Sequence, residues 1–572
     1  MPAGDPLPAA KTVAELFQLT ARAHRDRVAV RSSDGRVEFT WGQYAERVER
    51  IATGLAALGV RRGDTVALML TNRPEFHLVD TAVLHLGATP FSVYATSPPS
   101  QIAFLFANAG NRLVVTEKQW VDTVRAAGAT QVVCAGRPVE GTVSLADVEA
   151  MRPERFDFAA TWRSVQPGDL LTIIYTSGTT GQPKGVELEH RAMLASLRGG
   201  LDLDFVAAGA RGGRLVSYLP DAHVANRYFS HYLAMAGGAS ITTVADPKTI
   251  AAVLPAVRPT VFLGVPAFWQ KMQKAISATG GVRGRVVRWA LAQRQAGLRH
   301  AVADRLVLRT LRARLGLADA TAVITGAAPI APGVVRFFLA LGIRLCEGWA
   351  MSESAAGGTI GRPGSVRPGT VGTPMRTIEV KAAGDGELLL RGPTLMRGYR
   401  GDPVRTAEAF DAEGWLRTGD VGVIGADGYV TIVDRKKDLI INASGKNMAP
   451  AGIEHAVLAS CPLVASAAAI GDGRPYVVML LTLDPDAARD FAVAQGISPD
   501  LAALAADPIV QEEVGRGITR ANGLLSRVEQ VKYFRVLPDS WVPGSEELTP
   551  TGKLRRRAIA AKYADEIEAL YR

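Results

Sequence analysis

One glycine-rich segment, IIYTSGTTGQPKGVELEH (Ile173–His190), combines residue types that bind anions. Four Ser or Thr hydroxyls, three glycines and one lysine fall within Tyr175–Gly185. Glycines accept backbone angles that let neighbouring N–H groups converge on an anion, while hydroxyls and the Lys184 ammonium add donors and charge. The pattern therefore predicts a loop that binds phosphate groups. It is not the Walker loop, in which lysine directly follows the last glycine, because Lys184 lies three residues after Gly181.

The segments on either side of this loop indicate how it is positioned. DLLTIIYT, before the loop, is apolar and β-branched, as in a buried strand. VELEH and RAMLASLRGG, after the loop, are typical of a short strand and a helix. A flexible surface linker is the alternative interpretation, but linkers seldom carry apolar strands at both ends. We therefore expect a loop that emerges from a buried strand.

Strand-like and helix-like segments alternate from the start of the chain, which predicts an α/β architecture with largely parallel sheets. After GTVGTP (Gly369–Pro374) short strands and turns dominate, and they predict a smaller β-rich subdomain. Strands and helices resume from about Arg435. We expect a domain boundary at Asp434, which gives an N-terminal domain of residues 1–433 and a C-terminal domain of residues 434–572.

Length and composition agree with more than one globular domain. The chain has 572 residues, of which 48% are hydrophobic and 21% are charged. Its three cysteines lie far apart and form neither a metal spacing nor a disulfide framework, which favours a reduced, cytoplasmic setting. The N-terminus lacks the basic start and apolar run of a signal peptide, and no apolar stretch is long enough to span a bilayer.

An arginine-rich segment carries much of the net charge of +10. Residues 281–317 hold nine arginines against one acid, Asp304, with apolar residues interleaved at helical spacing. The simplest interpretation is a solvated helical face. A second interpretation is peripheral contact with anionic lipid headgroups at the inner face of a membrane. No nucleic-acid partner is expected, because no recognised binding motif or aromatic stacking run accompanies the charge.

Six segments, in order along the chain, resemble the signatures of the adenylate-forming enzymes, which include acyl-CoA synthetases, firefly-luciferase-like enzymes and nonribosomal-peptide adenylation domains. The segments are YTSGTTGQPKG, TGAAPI (Thr325–Ile330), EGWAMSES (Glu347–Ser354), GWLRTGD (Gly414–Asp420), DRKKDLIINASGKNMAP (Asp434–Pro450) and LTPTGKLRRR (Leu548–Arg557). The resemblance covers essentially the whole chain. It implies an α/β fold with a large N-terminal domain of two α/β sheets plus a small β-rich subdomain, followed by a small mobile α+β C-terminal domain.

The reaction that the resemblance implies has two steps. A carboxylate attacks the α-phosphate of ATP, releasing pyrophosphate and leaving an acyl-adenylate. The thiol of coenzyme A then attacks the acyl carbon and releases AMP. Because two anions meet in the first step, cations and oriented N–H donors are required.

The resemblance also assigns roles to individual residues. Lys553 is the expected catalytic lysine, Glu353 the expected Mg²⁺ ligand together with Thr179, and His223 the expected residue at the mouth of the acyl pocket. Nucleotide or coenzyme A binding is assigned to Thr176, Ser177, Gly178, Thr179, Thr180, Gly181, Lys184, Gly326, Ala327, Ala328, Glu347, Gly348, Trp349, Ser352, Asp420, Arg435 and Gly445. Among these, Asp420 and Arg435 are expected at the ribose, Trp349 at the adenine, and Gly445 at the pantetheine tunnel. Asp434 is the expected hinge between the domains.

The acyl substrate is indicated by YLPDAHVANRYFSHY (Tyr218–Tyr232), which resembles an element of the long-chain acyl-CoA synthetases. Small residues in Ala355–Gly358 and in the 325–328 turn would leave room for an acyl chain. The chain departs from the family pattern at Ala350 and Ser352. Two alternatives stay open, a fatty acyl-AMP ligase that delivers to a carrier protein and a non-catalytic nucleotide-binding paralogue. The oligomeric state is open as well, with a homodimer as one expectation.

Overall fold

The computed structural model describes residues 7–176, 182–293, 297–443, 446–549 and 552–572. Its strands lie where β-branched and other apolar residues run together, as the sequence predicts. Within these residues the strands are β1 Val28–Ser32, β2 Glu38–Thr40, β3 Thr65–Met69, β4 Thr89–Ser92, β5 Leu113–Thr116, β6 Val132–Cys134, β7 Val143–Ser144, β8 Leu170–Thr176, β9 Lys184–Glu189, β10 Arg214–Ser217, β11 Ser240–Thr243, β12 Val261–Gly264, β13 Ala322–Thr325, β14 Leu345–Ala350, β15 Gly358–Ile360, β16 Thr373–Pro374, β17 Glu379–Ala382, β18 Glu387–Arg391, β19 Gly398–Tyr399, β20 Leu416–Ile424, β21 Val430–Arg435, β22 Ile440–Ile441, β23 Asn447–Met448, β24 Val464–Ile470, β25 Val477–Leu483 and β26 Val531–Leu537.

Helices fill the segments between the strands. In the described part of the chain they are α1 Val13–Ala23, α2 Trp41–Ala57, α3 Pro74–His85, α4 Pro99–Ala109, α5 Val121–Ala126, α6 Leu145–Ala150, α7 Phe158–Arg163, α8 His190–Leu201, α9 Asp204–Ala210, α10 Val224–Asn226, α11 Leu233–Gly237, α12 Ile250–Val257, α13 Pro266–Ser277, α14 Gly281–Leu291, α15 Leu298–Ala303, α16 Arg309–Arg314, α17 Pro332–Ala340, α18 Pro403–Ala409, α19 Pro450–Ser460, α20 Pro485–Gln495, α21 Leu501–Ala506, α22 Pro508–Asn522, α23 Arg556–Lys562 and α24 Ala564–Ala569. Short 3₁₀ segments occupy Lys118–Trp120, Pro247–Thr249 and Ser352–Ser354, and π-helical segments occupy Arg227–Tyr232 and Asp304–Leu308.

Two large α/β sheets form most of the N-terminal part, as expected. In the first, β4, β3, β5, β6 and β7 pair in parallel in that order. The Thr172 hydroxyl of β8 donates to the Pro90 carbonyl of β4 at 2.8 Å, and β9 and β19 continue beyond β8 in antiparallel pairing. In the second, β2, β1, β11 and β10 lie beside β12 to β16, and the Thr260 N–H donates to the Arg214 carbonyl at 2.9 Å where the two groups of strands meet.

The smaller β-rich subdomain predicted after residue 374 is also present. Strands β17, β18, β20 and β21 form an antiparallel four-stranded sheet. Downstream of it, β24, β25 and β26 form a further sheet, with β24 antiparallel and β26 parallel to β25. Two hydrophobic clusters, one on Ile440–Val536 and one on Ala468–Ile567, pack on this last sheet and draw only on residues of the C-terminal part. This part therefore has its own core, as a separate folding unit requires.

The expected boundary at Asp434 falls inside β21, where Asp434 pairs with Val421 of β20. One Asp434 oxygen accepts the N–H of Arg435 at 2.7 Å, and the other accepts the N–H of Ala451 at 2.9 Å, in the first turn of α19. The Asp434 carboxylate thus connects the end of the β-rich sheet to the first helix of the C-terminal part.

Candidate active site

The residues that flank the predicted phosphate loop lie on two antiparallel strands, β8 and β9. Thr176 is the last residue of β8 and pairs directly with Lys184, the first residue of β9. Antiparallel pairing of these strands fixes both ends of the loop. The predictions for Ser177, Gly178, Thr179, Thr180 and Gly181 lie outside the described residues.

Tyr399 connects Lys184 with Glu353. The ammonium of Lys184 lies 4.7 Å from the centroid of the Tyr399 ring, a cation–π contact. On the other side, the Tyr399 hydroxyl donates to Oε1 of Glu353 at 3.0 Å. Burial and the Glu353 charge raise the pKa of Tyr399, so the phenol stays protonated and can donate. In space, the Tyr399 phenol therefore contacts both the Lys184 ammonium and the Glu353 carboxylate.

Sequence reasoning missed Tyr399. Nothing in MRGYR (residues 396–400) distinguishes it from an ordinary half-buried tyrosine. The pairing of β19 with β9, which sets Tyr399 opposite Val186, brings it to the loop. Only the tertiary arrangement of these strands could have identified it.

Trp349, Asp420 and Arg435 form a second group. The indole N–H of Trp349 donates to Oδ2 of Asp420 at 2.7 Å, and Nε of Arg435 lies 2.8 Å from Oδ1. Asp420 and Arg435 are direct cross-strand partners on β20 and β21, after a Gly419 whose φ of 69° is left-handed. Asp420 is buried, and each of its oxygens can accept a further hydrogen bond. A sugar hydroxyl could therefore bind the same carboxylate.

Backbone strain concentrates near the segments predicted to line the adenine and the acyl chain. Ala327, Ala355 and Ala356 adopt left-handed φ angles of 67°, 50° and 63°, and in the described chain Arg258 is the one further non-glycine residue to do so. Such conformations cost roughly 1–3 kcal/mol each and are common at ligand sites. Beside Ala327, a Cβ on Gly326 would lie 2.9 Å from the Gly348 carbonyl oxygen, so this close approach requires glycine. Ala328 and Ala327 are exposed at the turn.

Glu347 precedes Gly348 on β14 and is buried. Burial raises its pKa to about 7, although the Gly369 N–H, which donates to Oε1 at 2.9 Å, opposes this shift. Ser352 opens the 3₁₀ turn that carries Glu353 and is half-buried. The strand and the turn together place Glu347, Trp349 and Glu353 at one end of the second sheet.

Lys553 comes from the C-terminal part. Its carbonyl accepts the Thr549 N–H at 2.8 Å, and its own N–H donates to Thr549 Oγ1 at 2.9 Å, within a turn closed by Leu548 and Leu554. Lys553 is exposed to solvent. Protein packed around its side chain nevertheless displaces part of the hydration, and this desolvation is the main effect that lowers its pKa. Arg435 lowers the pKa further, whereas Asp420 and Glu353 oppose the shift.

The charge of Lys553 also acts on His223. Burial is the main cause that lowers its pKa to about 4, and the Lys553 charge contributes. Its Nδ1 accepts the Ala225 N–H at 3.1 Å, so at neutral pH this nitrogen carries no proton. Lys553 of the C-terminal part thus interacts electrostatically with His223, Glu353, Asp420 and Arg435 from earlier in the chain. Gly445 lies outside the described residues.

The loop that carries His223 is anchored by a buried ion pair that the sequence analysis did not identify. Arg227 begins the π-helical segment, and its Nη1 donates to Oδ2 of Asp80, on helix α3, at 2.6 Å. Both side chains are completely buried. Nε of Arg227 donates to the Asp221 carbonyl at 3.0 Å, and Asn226 donates to Asp221 Oδ1 at 2.6 Å. Two anchors therefore hold the chain immediately before His223.

The residues of the candidate site fit a magnesium ion that reaches the protein with a phosphate ligand. Among the described residues, no group of three or more His, Cys, Asp or Glu side chains could hold a metal. Mg²⁺ commonly takes one or two carboxylates and completes its shell with phosphate oxygens and water. Glu353, whose carboxylate is connected through Tyr399 to Lys184 at the end of the predicted phosphate loop, suits that arrangement.

Comparison with known proteins agrees with this geometry. The AMP-binding enzyme family matches residues 17–400, which is more than half of the chain. The chain belongs to the AMP-binding enzyme family. The C-terminal domain of AMP-binding enzymes matches residues 437–572. Along the described parts of this AMP-binding enzyme, no helix is long and apolar enough to cross a membrane.

Two curated relatives are named for fatty-acid ligation. "Putative fatty-acid--CoA ligase fadD11" of Mycobacterium tuberculosis is 46% identical over 452 residues, covering 75% of this chain and 79% of that protein. Long-chain-fatty-acid–CoA ligase FadD15 of the same species is 32% identical over 568 residues, covering 93% of this chain and 92% of that protein. Among solved structures, the adenylation domain of a carboxylate reductase from Mycobacterium chelonae superposes with a TM-score of 0.76 at 20% identity, covering 100% of this chain and 92% of that one. At that identity the likeness shows the fold of the AMP-binding enzyme alone.

Proposed function

We propose that the protein is a long-chain-fatty-acid–CoA ligase that consumes ATP and forms acyl-CoA, AMP and pyrophosphate through an acyl-adenylate. The observation that carries the proposal is that the charges of Glu353 and Asp420 act on Lys553, while Tyr399 connects Glu353 to Lys184 of the predicted phosphate loop. The names of the two curated relatives support the fatty-acid substrate.

In the first step the chain would neutralise two anions that must approach each other. The loop from Thr176 to Lys184 would hold the β- and γ-phosphates, and Asp420 with Arg435 would bind the ribose. Glu353 and Thr179 would hold Mg²⁺, which neutralises phosphate charge when it is bound. The Lys553 ammonium would contact the carboxylate and the α-phosphate as charge moves between them.

In the second step the C-terminal domain would rotate about Asp434. Residues 434–572 would then withdraw Lys553 and bring the segment around Gly445 to the acyl-adenylate. Coenzyme A would enter beside Gly445, and its thiol would attack the acyl carbon. Closure and reopening of domains commonly control such turnover.

The acyl chain would lie next to His223. A half-buried, neutral imidazole suits the entrance to an apolar slot, because it adds no charge there. Left-handed turns at Ala355 and Ala356, with small side chains, would leave space along the chain. The buried Arg227–Asp80 pair would keep this wall rigid.

The decisive experiment is a pyrophosphate-exchange assay with a series of fatty acids, followed by addition of coenzyme A. Fatty-acid-dependent exchange, highest for long chains, with acyl-CoA formed on addition of coenzyme A, would support the proposal. Exchange without acyl-CoA would support the fatty acyl-AMP ligase instead. ATP binding without exchange would indicate a non-catalytic nucleotide-binding protein. A cytoplasmic location and a homodimer stay predictions, to be tested by fractionation and by analytical ultracentrifugation.

A further inference from the structure

The arginine-rich segment forms a helical hairpin with an unusual outer surface. Helix α14 packs against the π-helical segment that follows α15. We refer to α14, α15, this π-helical segment and α16 as the arginine hairpin. In the described chain, sixteen large apolar side chains are exposed, and six of them lie in the arginine hairpin: Val282, Val286, Trp289, Leu298, Val302 and Leu306.

The exposed apolar residues of α14 form a stripe. Val282, Val286 and Trp289 are spaced i, i+4 and i+7, so they share one face of the helix, and they are 66%, 41% and 44% exposed. Gly284 and Ala290 are the buried residues of the same helix. An amphipathic surface helix normally turns its large apolar side chains to the core, whereas α14 turns small residues inward and its largest side chain, Trp289, outward.

A second stripe follows the other arm of the arginine hairpin. Leu298 and Val302, four residues apart on α15, are 82% and 44% exposed, and Leu306, four residues further on, is 69% exposed. A solvated helical face, the simplest interpretation of the sequence, does not account for large apolar side chains on both arms. Exposed apolar patches of this kind mark interaction surfaces.

Arginines flank both stripes. Arg285 and Arg288 lie beside the stripe of α14 and are exposed, as are Arg299, Arg305 and Arg309 on the other arm. None of these five arginines forms an ion pair with a described residue, whereas Arg312 is paired with Asp304. The outer surface therefore carries uncompensated positive charge next to apolar side chains.

The inner side of the arginine hairpin is continuous with the region of the acyl site. Ala290, Ala303 and Leu308 are buried in the same hydrophobic cluster as Tyr218. Tyr218 begins the segment that leads to His223. The arginine hairpin is thus a structured part of the N-terminal domain, and its exposed stripes are not the result of a detached segment.

We propose that the outer surface of the arginine hairpin docks on an anionic lipid membrane. Two apolar stripes would enter the headgroup region, where Trp289 suits the interface, and the guanidinium groups would pair with lipid phosphates. Charge complementarity selects this occupant, because a purely apolar partner would leave the arginines unpaired. A lipid surface offers phosphates to the arginines and acyl chains to the apolar stripes, so it accounts for the charge and the exposed apolar side chains together.

Vesicle binding by the full-length protein tests the proposal. We expect co-sedimentation with vesicles of phosphatidylglycerol and phosphatidylcholine, weak binding to phosphatidylcholine alone, and release by salt. Val286→Asp with Trp289→Asp, or Arg285→Glu with Arg288→Glu, should weaken binding to the anionic vesicles roughly tenfold or more. The matched controls are Val493→Asp with Leu524→Asp and Arg489→Glu with Arg527→Glu, exposed residues of the C-terminal part that should leave binding unchanged.

Two further measurements test whether the outer surface of the arginine hairpin itself contacts the lipid. Brominated lipids should quench part of the tryptophan fluorescence of the wild type, and Trp289→Phe should abolish that quenching. Pyrophosphate exchange without vesicles should be normal in every variant, which shows that the variants are folded and keeps this test independent of the ligase activity. The proposal is overturned if the wild type does not bind anionic vesicles, or if hairpin and control variants bind alike. It is equally overturned if the hairpin variants convert a dimer to a monomer, since a second copy of the chain would then cover the surface.

Discussion

At the scale of single residues, Tyr399 connects Lys184, at the predicted phosphate loop, with Glu353, the proposed metal ligand. Its hydroxyl donates to the Glu353 carboxylate and its ring faces the Lys184 ammonium. A tyrosine in this place holds Glu353 in one orientation without neutralising it. We therefore regard Tyr399 as a positioning residue for Glu353, the proposed metal ligand.

Tyr399→Phe removes this hydrogen bond and leaves the ring in place. A hydrogen bond to a charged group contributes about 1.5–3 kcal/mol, so we expect pyrophosphate exchange to slow roughly 10- to 100-fold, with a higher Mg²⁺ requirement. Tyr429→Phe is the matched control, because Tyr429 also donates its hydroxyl, to the Ser365 carbonyl, and also has a cation over its ring, that of Arg367. Equal exchange rates in the two variants would remove Tyr399 from the site.

The pH dependence of the first step should report Lys553. Its pKa is lowered from the ordinary lysine value, chiefly by the surrounding protein, so the ammonium loses its proton at a lower pH than a free lysine. Because the charged form is required, pyrophosphate exchange should fall on the alkaline side before pH 10.5. With its pKa of about 4, His223 should add no acidic limb above pH 6.

Lys553→Arg tests this assignment, because a guanidinium stays charged throughout the same pH range. We expect the variant to be slower but to keep its rate at alkaline pH. An alkaline decline that coincides in wild type and variant would assign the titration to another group.

At the scale of elements, the buried Asp80–Arg227 pair joins helix α3 to the π-helical segment that follows His223. Arg227→Met should destabilise the protein by about 3–5 kcal/mol, because it leaves Asp80 buried without its cation. The double variant Asp80→Leu/Arg227→Met should recover much of this loss. Chemical denaturation of the three proteins checks the expectation, and losses that simply add would show that the two side chains do not act as a pair.

The same region shows what local sequence could and could not predict. Buried strands such as β8 and β25 follow from runs of apolar and β-branched residues, and helix α2 follows from its amphipathic pattern and the Thr40–Gln43 capping box. Asp80 and Arg227 lie 147 residues apart, and no local pattern relates them. The contact between Tyr399 and Lys184 likewise has no local sequence signal, because it depends on the pairing of β19 with β9. The sequence motifs singled out Glu353, Asp420, Arg435 and Lys553 as candidates, but the interactions among them could be read only from the fold.

At the scale of the whole molecule, Asp434 lies where the two domains are expected to separate. Its backbone is part of β21, and its carboxylate binds the N–H of Ala451. Asp434→Pro should leave pyrophosphate exchange largely intact and slow the formation of acyl-CoA, because proline restricts the backbone torsion that must change. Asp434→Ala removes the same carboxylate but leaves that torsion free, so it separates the two effects. Normal acyl-CoA formation by the proline variant would argue against a hinge at this residue.

The proposed mechanism depends on one lysine of the C-terminal part acting in one half of the reaction. The most direct measurement compares Lys553→Ala with wild type in two assays, pyrophosphate exchange and acyl-CoA formation from supplied acyl-AMP, with the exposed Lys532→Ala as control. We predict that Lys553→Ala slows the first assay by roughly 10²–10³ and leaves the second near wild type. An equal loss in both assays, or no loss in the first, would contradict the role given to Lys553.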